Sequence, residues 1–110
     1  MKKHNVYIVI SYESPLPAAS IQEVAAGLEE EGVPYLLREH QNNSHFIEIG
    51  WKAASMSPLE VGVGIDKRGS ICVHHQKLNP DKPYLQDNIK NARISGKNAG
   101  RLIKGLPLYY

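Results

Sequence analysis

Three clusters in this chain carry side chains able to do chemistry. They are the run Glu29, Glu30, Glu31, the stretch "CVHH" with Cys72, His74 and His75, and the pair Gly96-Lys97 inside "ISGKNAGRLIKG". The glutamates raise an electrostatic question. They close an apolar-periodic segment that stops at Gly32, and so fall at the C-terminal end of a helix. The macrodipole is negative there, and lysine or arginine would be favoured. At about 100° per residue, Ile21, Val24, Ala25 and Leu28 share a face centred on Leu28. Glu29 and Glu31 then lie on its flanks, and Glu30 points away from the core. One reading is a solvated acidic helix end with no function. The other is a cluster that meets a cation or a basic partner, which offsets the dipole.

Gly96-Lys97 invites comparison with a phosphate loop, which needs a glycine five residues earlier and a Ser or Thr directly after. Asn91 and Asn98 stand at those places, so the motif fails twice, and Ser95 reads instead as the serine cap of a helix start. Cys72 and His74 share one face of a strand and His75 takes the other. Two ligands do not make a zinc site, and no second Cys/His pair stands at a suitable spacing; His40 and His45 sit in or beside a loop. A buried thiol beside a hydrogen-bonded histidine is the plain reading. A Cys72 nucleophile activated by a histidine stays open, because such partners meet in space rather than in sequence. No spacing supports it, and the chain reads as a binding or regulatory subunit rather than an enzyme.

Composition sets the frame for these residues. The 110 residues, 42% of them apolar, suit one domain over 1–110 with a true core. The net charge is +2, with Lys90, Arg93, Lys97, Arg101 and Lys104 forming one basic face late in the chain. No aromatic residues interleave with them, so a nucleic-acid partner is not indicated. The single Cys72 fits a reducing cytoplasm. No apolar run is long enough for a membrane span, and the N-terminus lacks the pattern of a signal peptide.

The elements that position the clusters follow from pattern. Asn5 to Ser11 reads as a first strand. Ser20 stands three residues before Glu23, the capping-box spacing, and predicts a helix over 21–31 with Gly32 as its left-handed stop. Pro34 to Arg38 reads as a strand and "EHQNNSH" as a polar turn. A second helix is expected over 46–55, with Phe46, Ile49 and Ala53 inward and Met56 as a further candidate. "LEVGVGI" and "SICVHH" form a hairpin through "DKRG", and a brief strand is placed near Tyr84. "SGKNAGRLIKG" reads as the last helix, stopped by Gly105 and Pro107. The fold class is α/β: a mixed, mostly parallel sheet of four to five strands, flanked by helices in Rossmann-like layers.

Four stretches, "GLEEEGVPY", "SPLEVGVGIDKRG", "CVHHQKL" and "NAGRLIKGLPL", together resemble the small subunit of the diol/glycerol dehydratase-reactivating factors, in order from Gly27 to Leu108. The resemblance implies an accessory, non-catalytic subunit with a dehydratase medium-subunit-like fold. The factor is ATP-dependent and chaperone-like, and releases damaged cobalamin from inactivated adenosylcobalamin-dependent diol or glycerol dehydratase. It further implies a large ATPase subunit as partner and transient contact with the dehydratase large subunit, through exchange with the dehydratase medium subunit. Neither ATP nor cobalamin is expected on this chain alone. Through the middle glutamate of "EEEG", it implies that Glu30 helps to hold a Mg2+ shared with the large subunit. The expected location is the cytoplasm, with a bacterial microcompartment left open. The alternatives are the dehydratase medium subunit itself, which shares "N-A-x-R-L-x-K-G", and a small cytoplasmic α/β enzyme or metabolite-binding domain.

Overall fold

The computed structural model of the chain describes residues 6–41 and 44–109. The expected strand start at Asn5 and the middle of the polar turn, Asn42 and Asn43, lie outside the described residues. Runs rich in Val and Ile form β1 (Ile8–Glu13), β3 (Val61–Ile65) and β4 (Ser70–His75), all nearly or wholly buried. Such β-branched side chains pack well on a pleated surface. β2 (Tyr35–His40) and β5 (Leu85–Asn88) are the exposed edges of a five-stranded sheet ordered β2-β1-β3-β4-β5. β1 pairs parallel with β2 and β3, and β3–β4 and β4–β5 are antiparallel. The sheet is mixed, as the pattern of elements implies, with its parallel half built by the two early crossovers.

Helices cover both faces. α1 (Ala18–Glu30) and α3 (Ala92–Lys104) pack together over one face, where Val24, Leu28, Ala92 and Ala99 meet Ile8, Ile10, Val61, Val63 and Val73 in the main core. α2 (Phe46–Met56) lies on the other face, very close to β3. The closeness has a cause in the sequence: a Cβ on Gly62 would collide with the backbone of Ala54, and one on Gly64 with Gly50. The glycines of "VGVGI" are there for approach rather than for turning.

Several expectations are corrected. α1 begins at Ala18 behind Pro17, with no side-chain cap, so Ser20 and Glu23 do not form a capping box. Pro17 is itself the N-cap, in an extended conformation, and Glu23 is left free for another contact. α3 begins at Ala92 after a 3-10 turn at Ile89–Asn91, which Asn88 caps through Lys90 N–H. Ser95 is therefore a buried residue inside the helix, not its cap. Met56 is exposed, and Ile49, Gly50, Ala53 and Ala54 form the buried stripe of α2. The strand expected near Tyr84 is β5, beginning at Leu85. Gly32 and Gly105 take the left-handed conformation assigned to them, with φ of 73° and 70°.

In open α/β sheets, ligands sit beyond the carboxyl ends of the strands where the strand order reverses. Here that crevice, about 310 Å³, lies between the ends of β1 and β3 and the start of α2. Glu13 sits in it, only 5% exposed. Its carboxylate accepts the backbone N–H of Ser44 and of Lys67, both at 3.1 Å. The chain thus places its own carboxylate in that crevice.

Candidate functional site

The three glutamates meet three different surroundings. Glu29 accepts a hydrogen bond of 2.9 Å from the Tyr35 hydroxyl, which pushes the Tyr35 phenol above its ordinary range. Glu30 is held by two cations of α3: Lys97 Nζ lies 3.0 Å from Oε1, and Arg93 Nη1 donates to Oε2. Glu31 is buried, its side chain 8% exposed. Arg101 Nε lies 3.2 Å from it, Lys104 Nζ 3.7 Å and Lys97 Nζ 3.9 Å. Arg93 also grips Glu23 through Nε and Nη2, at 3.0 and 3.1 Å.

This geometry accounts for acids at the negative end of α1. Arg93, Lys97, Arg101 and Lys104 recur at helical spacing, so they form one stripe along α3. The stripe lies against the C-terminal half of α1, and it offsets the macrodipole from within the chain. The helices approach closely enough because of glycine. A Cβ on Gly27 would collide with the Arg93 carbonyl, and one on Gly96 with the Val24 carbonyl. A Cβ on Gly100 would lie 2.8 Å from Glu31 Cβ, so Gly100 makes the space that the stem of the buried glutamate occupies.

The electrostatics agree with the distances. The Lys97 hydrogen bond foremost, joined by the charges of Lys97 and Arg93 and the Arg93 hydrogen bond, holds the Glu30 carboxyl below the usual carboxylate range against the opposing effect of desolvation. Glu30 in turn keeps the Lys97 ammonium charged above its ordinary range, and Glu23, then Glu30, does the same for Arg93. The outward angle read for Glu30 from α1 alone is therefore incomplete. The carboxylate leaves the core but lands on the stripe of α3 and stays 44% exposed. The flanking position read for Glu31 becomes burial, because α3 covers that flank. The late basic face is largely this stripe, turned toward α1. The signal available in the sequence was the match between that spacing and three glycines, Gly27, Gly96 and Gly100.

The other candidate residues are not brought together into a site. The Cys72 thiol is fully buried against Gly50 and Gly64, and donates to the Phe46 carbonyl at 3.3 Å. Burial pushes it up to about 12, which leaves almost no thiolate at neutral pH and argues against the nucleophile reading. His74 is also fully buried. Its Nδ1 accepts the His75 N–H at 3.0 Å, and its Nε2 lies 3.1 Å from the Pro80 carbonyl. Nδ1 also lies 3.1 Å from the His75 carbonyl, and through the Pro80 contact His74 pins the 76–84 connection to the sheet. His75 Nδ1 accepts from Lys77 N, His45 caps α2 through Ile47 N, and His40 Nε2 lies 3.1 Å from Ser44 Oγ. Among the described residues, no group of three or more His, Cys, Asp or Glu is placed to hold a metal ion. No described helix is long and apolar enough to cross a membrane.

Comparison with known proteins bears on what this arrangement serves. Residues 5–109 match the family model described as the dehydratase medium subunit. The propanediol dehydratase-reactivating factor small subunit of Salmonella typhimurium is 41% identical over 90 residues, covering 77% of this chain and 75% of that protein. The chain belongs to the dehydratase medium-subunit family, among the reactivating-factor small subunits. A second member, the diol dehydratase-reactivating factor small subunit of Klebsiella michiganensis, is 38% identical over 91 residues, which cover 78% of this chain and 70% of the relative. Among solved structures of the family, a glycerol dehydratase reactivase superposes with a TM-score of 0.87 at 34% identity, covering 94% of this chain and 97% of that one. A diol dehydratase-reactivating factor complexed with ADP and Mg2+ gives 0.82 at 32% identity, with the same coverage. The mixed sheet flanked by helices is thus a fold shared with chains of the dehydratase reactivases.

Proposed function

We propose that this chain is the non-catalytic small subunit of an ATP-dependent, chaperone-like factor that releases damaged cobalamin from inactivated diol or glycerol dehydratase. The observation that carries this is the likeness to reactivating-factor small subunits along most of the chain, at up to 41% identity among the relatives named. The site geometry is consistent with it: the polar groups singled out by sequence are engaged in packing and ion pairing, and the switch-point crevice holds Glu13. In this reading a large partner subunit hydrolyses ATP, and this chain binds neither ATP nor cobalamin alone. It acts in the cytoplasm, by exchanging with the dehydratase medium subunit on the dehydratase large subunit.

Glu30 is our proposed contribution to a Mg2+ shared with the large subunit. Magnesium, where bound, supplies a hard divalent centre that takes oxygen ligands in near-octahedral geometry. Glu30 fits as one such ligand: each oxygen accepts one hydrogen bond and keeps a further acceptor site, and the side chain is 44% exposed. It does not make a metal site by itself. Lys97 and Arg93 stand beside it as competing cations, so the remaining ligands must come from another chain and the in-chain pairs must loosen.

The experiment is titration of this chain against the large reactivating-factor subunit, with magnesium and with chelator, for wild type and Glu30→Gln. Weaker magnesium-dependent binding of the variant supports the shared contact, and equal binding removes it. Co-purification with the large subunit tests the assignment itself, and stable assembly with the dehydratase large subunit alone would identify a dehydratase medium subunit instead. Labelled medium subunit should leave inactivated dehydratase when factor and ATP are added; cofactor replacement with the label retained would rule out exchange.

A further inference from the structure

α3 holds a second set of contacts on the side away from α1. Residues 106–109 follow the left-handed Gly105 and turn back along the helix. Asn98, 4% exposed, reads one residue of that segment with a single carboxamide. Its Oδ1 accepts the Tyr109 N–H at 2.7 Å, and its Nδ2 donates to the Tyr109 carbonyl at 2.9 Å. This donor–acceptor pair is what a neighbouring strand offers to an extended chain. Asparagine is a poor helix former, and burying its amide is costly unless both ends are satisfied. Both of its hydrogen bonds here go to Tyr109.

Arg101 fastens the same segment, donating from Nη1 to the Pro107 carbonyl at 3.1 Å and from Nη2 to the Tyr109 hydroxyl at 2.8 Å. The Tyr109 ring lies under both cations, 4.3 Å from Arg101 Cζ and 5.3 Å from Lys97 Nζ. These are the residues whose other contacts are Glu31 and Glu30. Beside Tyr109, a cleft of about 400 Å³ opens between α3 and β5, walled by Leu85, Asp87, Ile94 and Ser95.

We propose that the face of α3 at Asn98 and Arg101 is a peptide-backbone site occupied in cis by residues 106–109, and that this strap holds Arg101 and Lys97 on Glu31 and Glu30. The segment is fastened by side chains rather than by a strand ladder, and Tyr109 is 39% exposed, so it can open without unfolding the sheet. Opening would loosen the in-chain ion pairs of α1. The strap lies upstream of the Glu30 contact proposed above, but its test involves neither a metal nor a partner, so the two readings fail separately.

The test is hydrogen exchange by NMR on the full chain and two variants. One ends after Gly105; the other is Tyr109→Ser, which keeps the backbone contacts and removes the ring. In the wild type, the Tyr109 amide should be protected about tenfold or more relative to an unstructured peptide. In both variants, the Arg101 Nε–H should exchange several-fold faster. An unprotected Tyr109 amide overturns the clamp. Unchanged Arg101 exchange in Tyr109→Ser overturns the coupling, and that variant decides the matter even where the shortened chain fails to fold.

Discussion

Gly96 of α3 rests against the backbone carbonyl of Val24 in α1, with no space between them for a β-carbon. Alanine normally stabilises a helix interior over glycine by about 0.5–1 kcal/mol. Gly96→Ala should do the opposite, costing about 1–3 kcal/mol, because backbone cannot move aside as a flexible side chain can. Denaturant unfolding decides it: a variant as stable as the wild type would mean that the helices do not cross at Gly96.

Glu30 and Glu31 should separate in solution. Glu31→Gln removes the charge from a carboxylate buried among Arg101, Lys104 and Lys97, and should cost about 1–3 kcal/mol. Glu30→Gln gives up half-exposed pairs, so its effect should be smaller and should shrink in high salt. From α1 alone, neutralising Glu30 would be expected to leave the chain as stable or slightly more so; the Lys97 and Arg93 contacts reverse that sign. Chemical denaturation at low and high salt checks both.

The same pairing has a pH signature. Lys97, then Arg93, lower the folded-state value of Glu30 below its ordinary 4.5. The unfolded chain therefore binds the proton more readily, and the stabilisation is fully present above 4.5. It is lost as pH falls through the lowered value. In an acid titration of stability, Glu30→Gln should flatten that part of the loss. A profile identical to wild type would mean that the ion pairs do not form.

Cys72 should be silent toward thiol reagents in the native chain at pH 8 and should react fully once the chain is unfolded. Its folded-state value of about 12 stands above the ordinary 9.0, so the contribution is present below 9 and is lost as pH rises toward 12. Cys72→Ser should remove this alkaline loss but lower stability at neutral pH, since a hydroxyl replaces a thiol that packs as a small apolar group. Native labelling at the rate of a free thiol would contradict the burial.

Glu13→Gln should destabilise by about 1–3 kcal/mol, since one neutral oxygen replaces a carboxylate that serves two backbone N–H groups. Amide exchange should rise at one of Ser44 and Lys67 more than at the other, because Oε2 accepts from the first and Oε1 from the second and glutamine keeps a single acceptor oxygen. Unchanged exchange at both would contradict the Glu13 contacts.

The elements were largely legible in the sequence and their meetings were not. Val/Ile runs announced β1, β3 and β4, the 3.6-residue spacing of Ile21, Val24, Ala25 and Leu28 announced α1, and Gly32 and Gly105 marked the helix ends. Local rules failed where a distant element supplied the partner. Ser20 and Glu23 have capping-box spacing, but Pro17 starts the helix and Arg93, seventy residues on, takes the glutamate. Ser95 looks like a cap next to Gly96, yet Gly96 is a glycine of helix crossing. Of the site, sequence offered the acids and the bases as two separate features. Their union depends on α3 lying over α1, which periodicity along either helix alone does not contain.

The two faces of the sheet differ in how they can answer a substitution. Where α2 meets β3, backbone touches backbone through Gly50, Gly62 and Gly64, and there are no rotamers to rearrange. Under α1 and α3 the intervening layer is Val, Leu and Ile, which can re-pack. A side-chain substitution in that layer can be absorbed by neighbouring rotamers, whereas one at Gly50, Gly62 or Gly64 meets main chain or a buried thiol. The glutamates of α1, the basic stripe and the strap all lie on the side that can adapt.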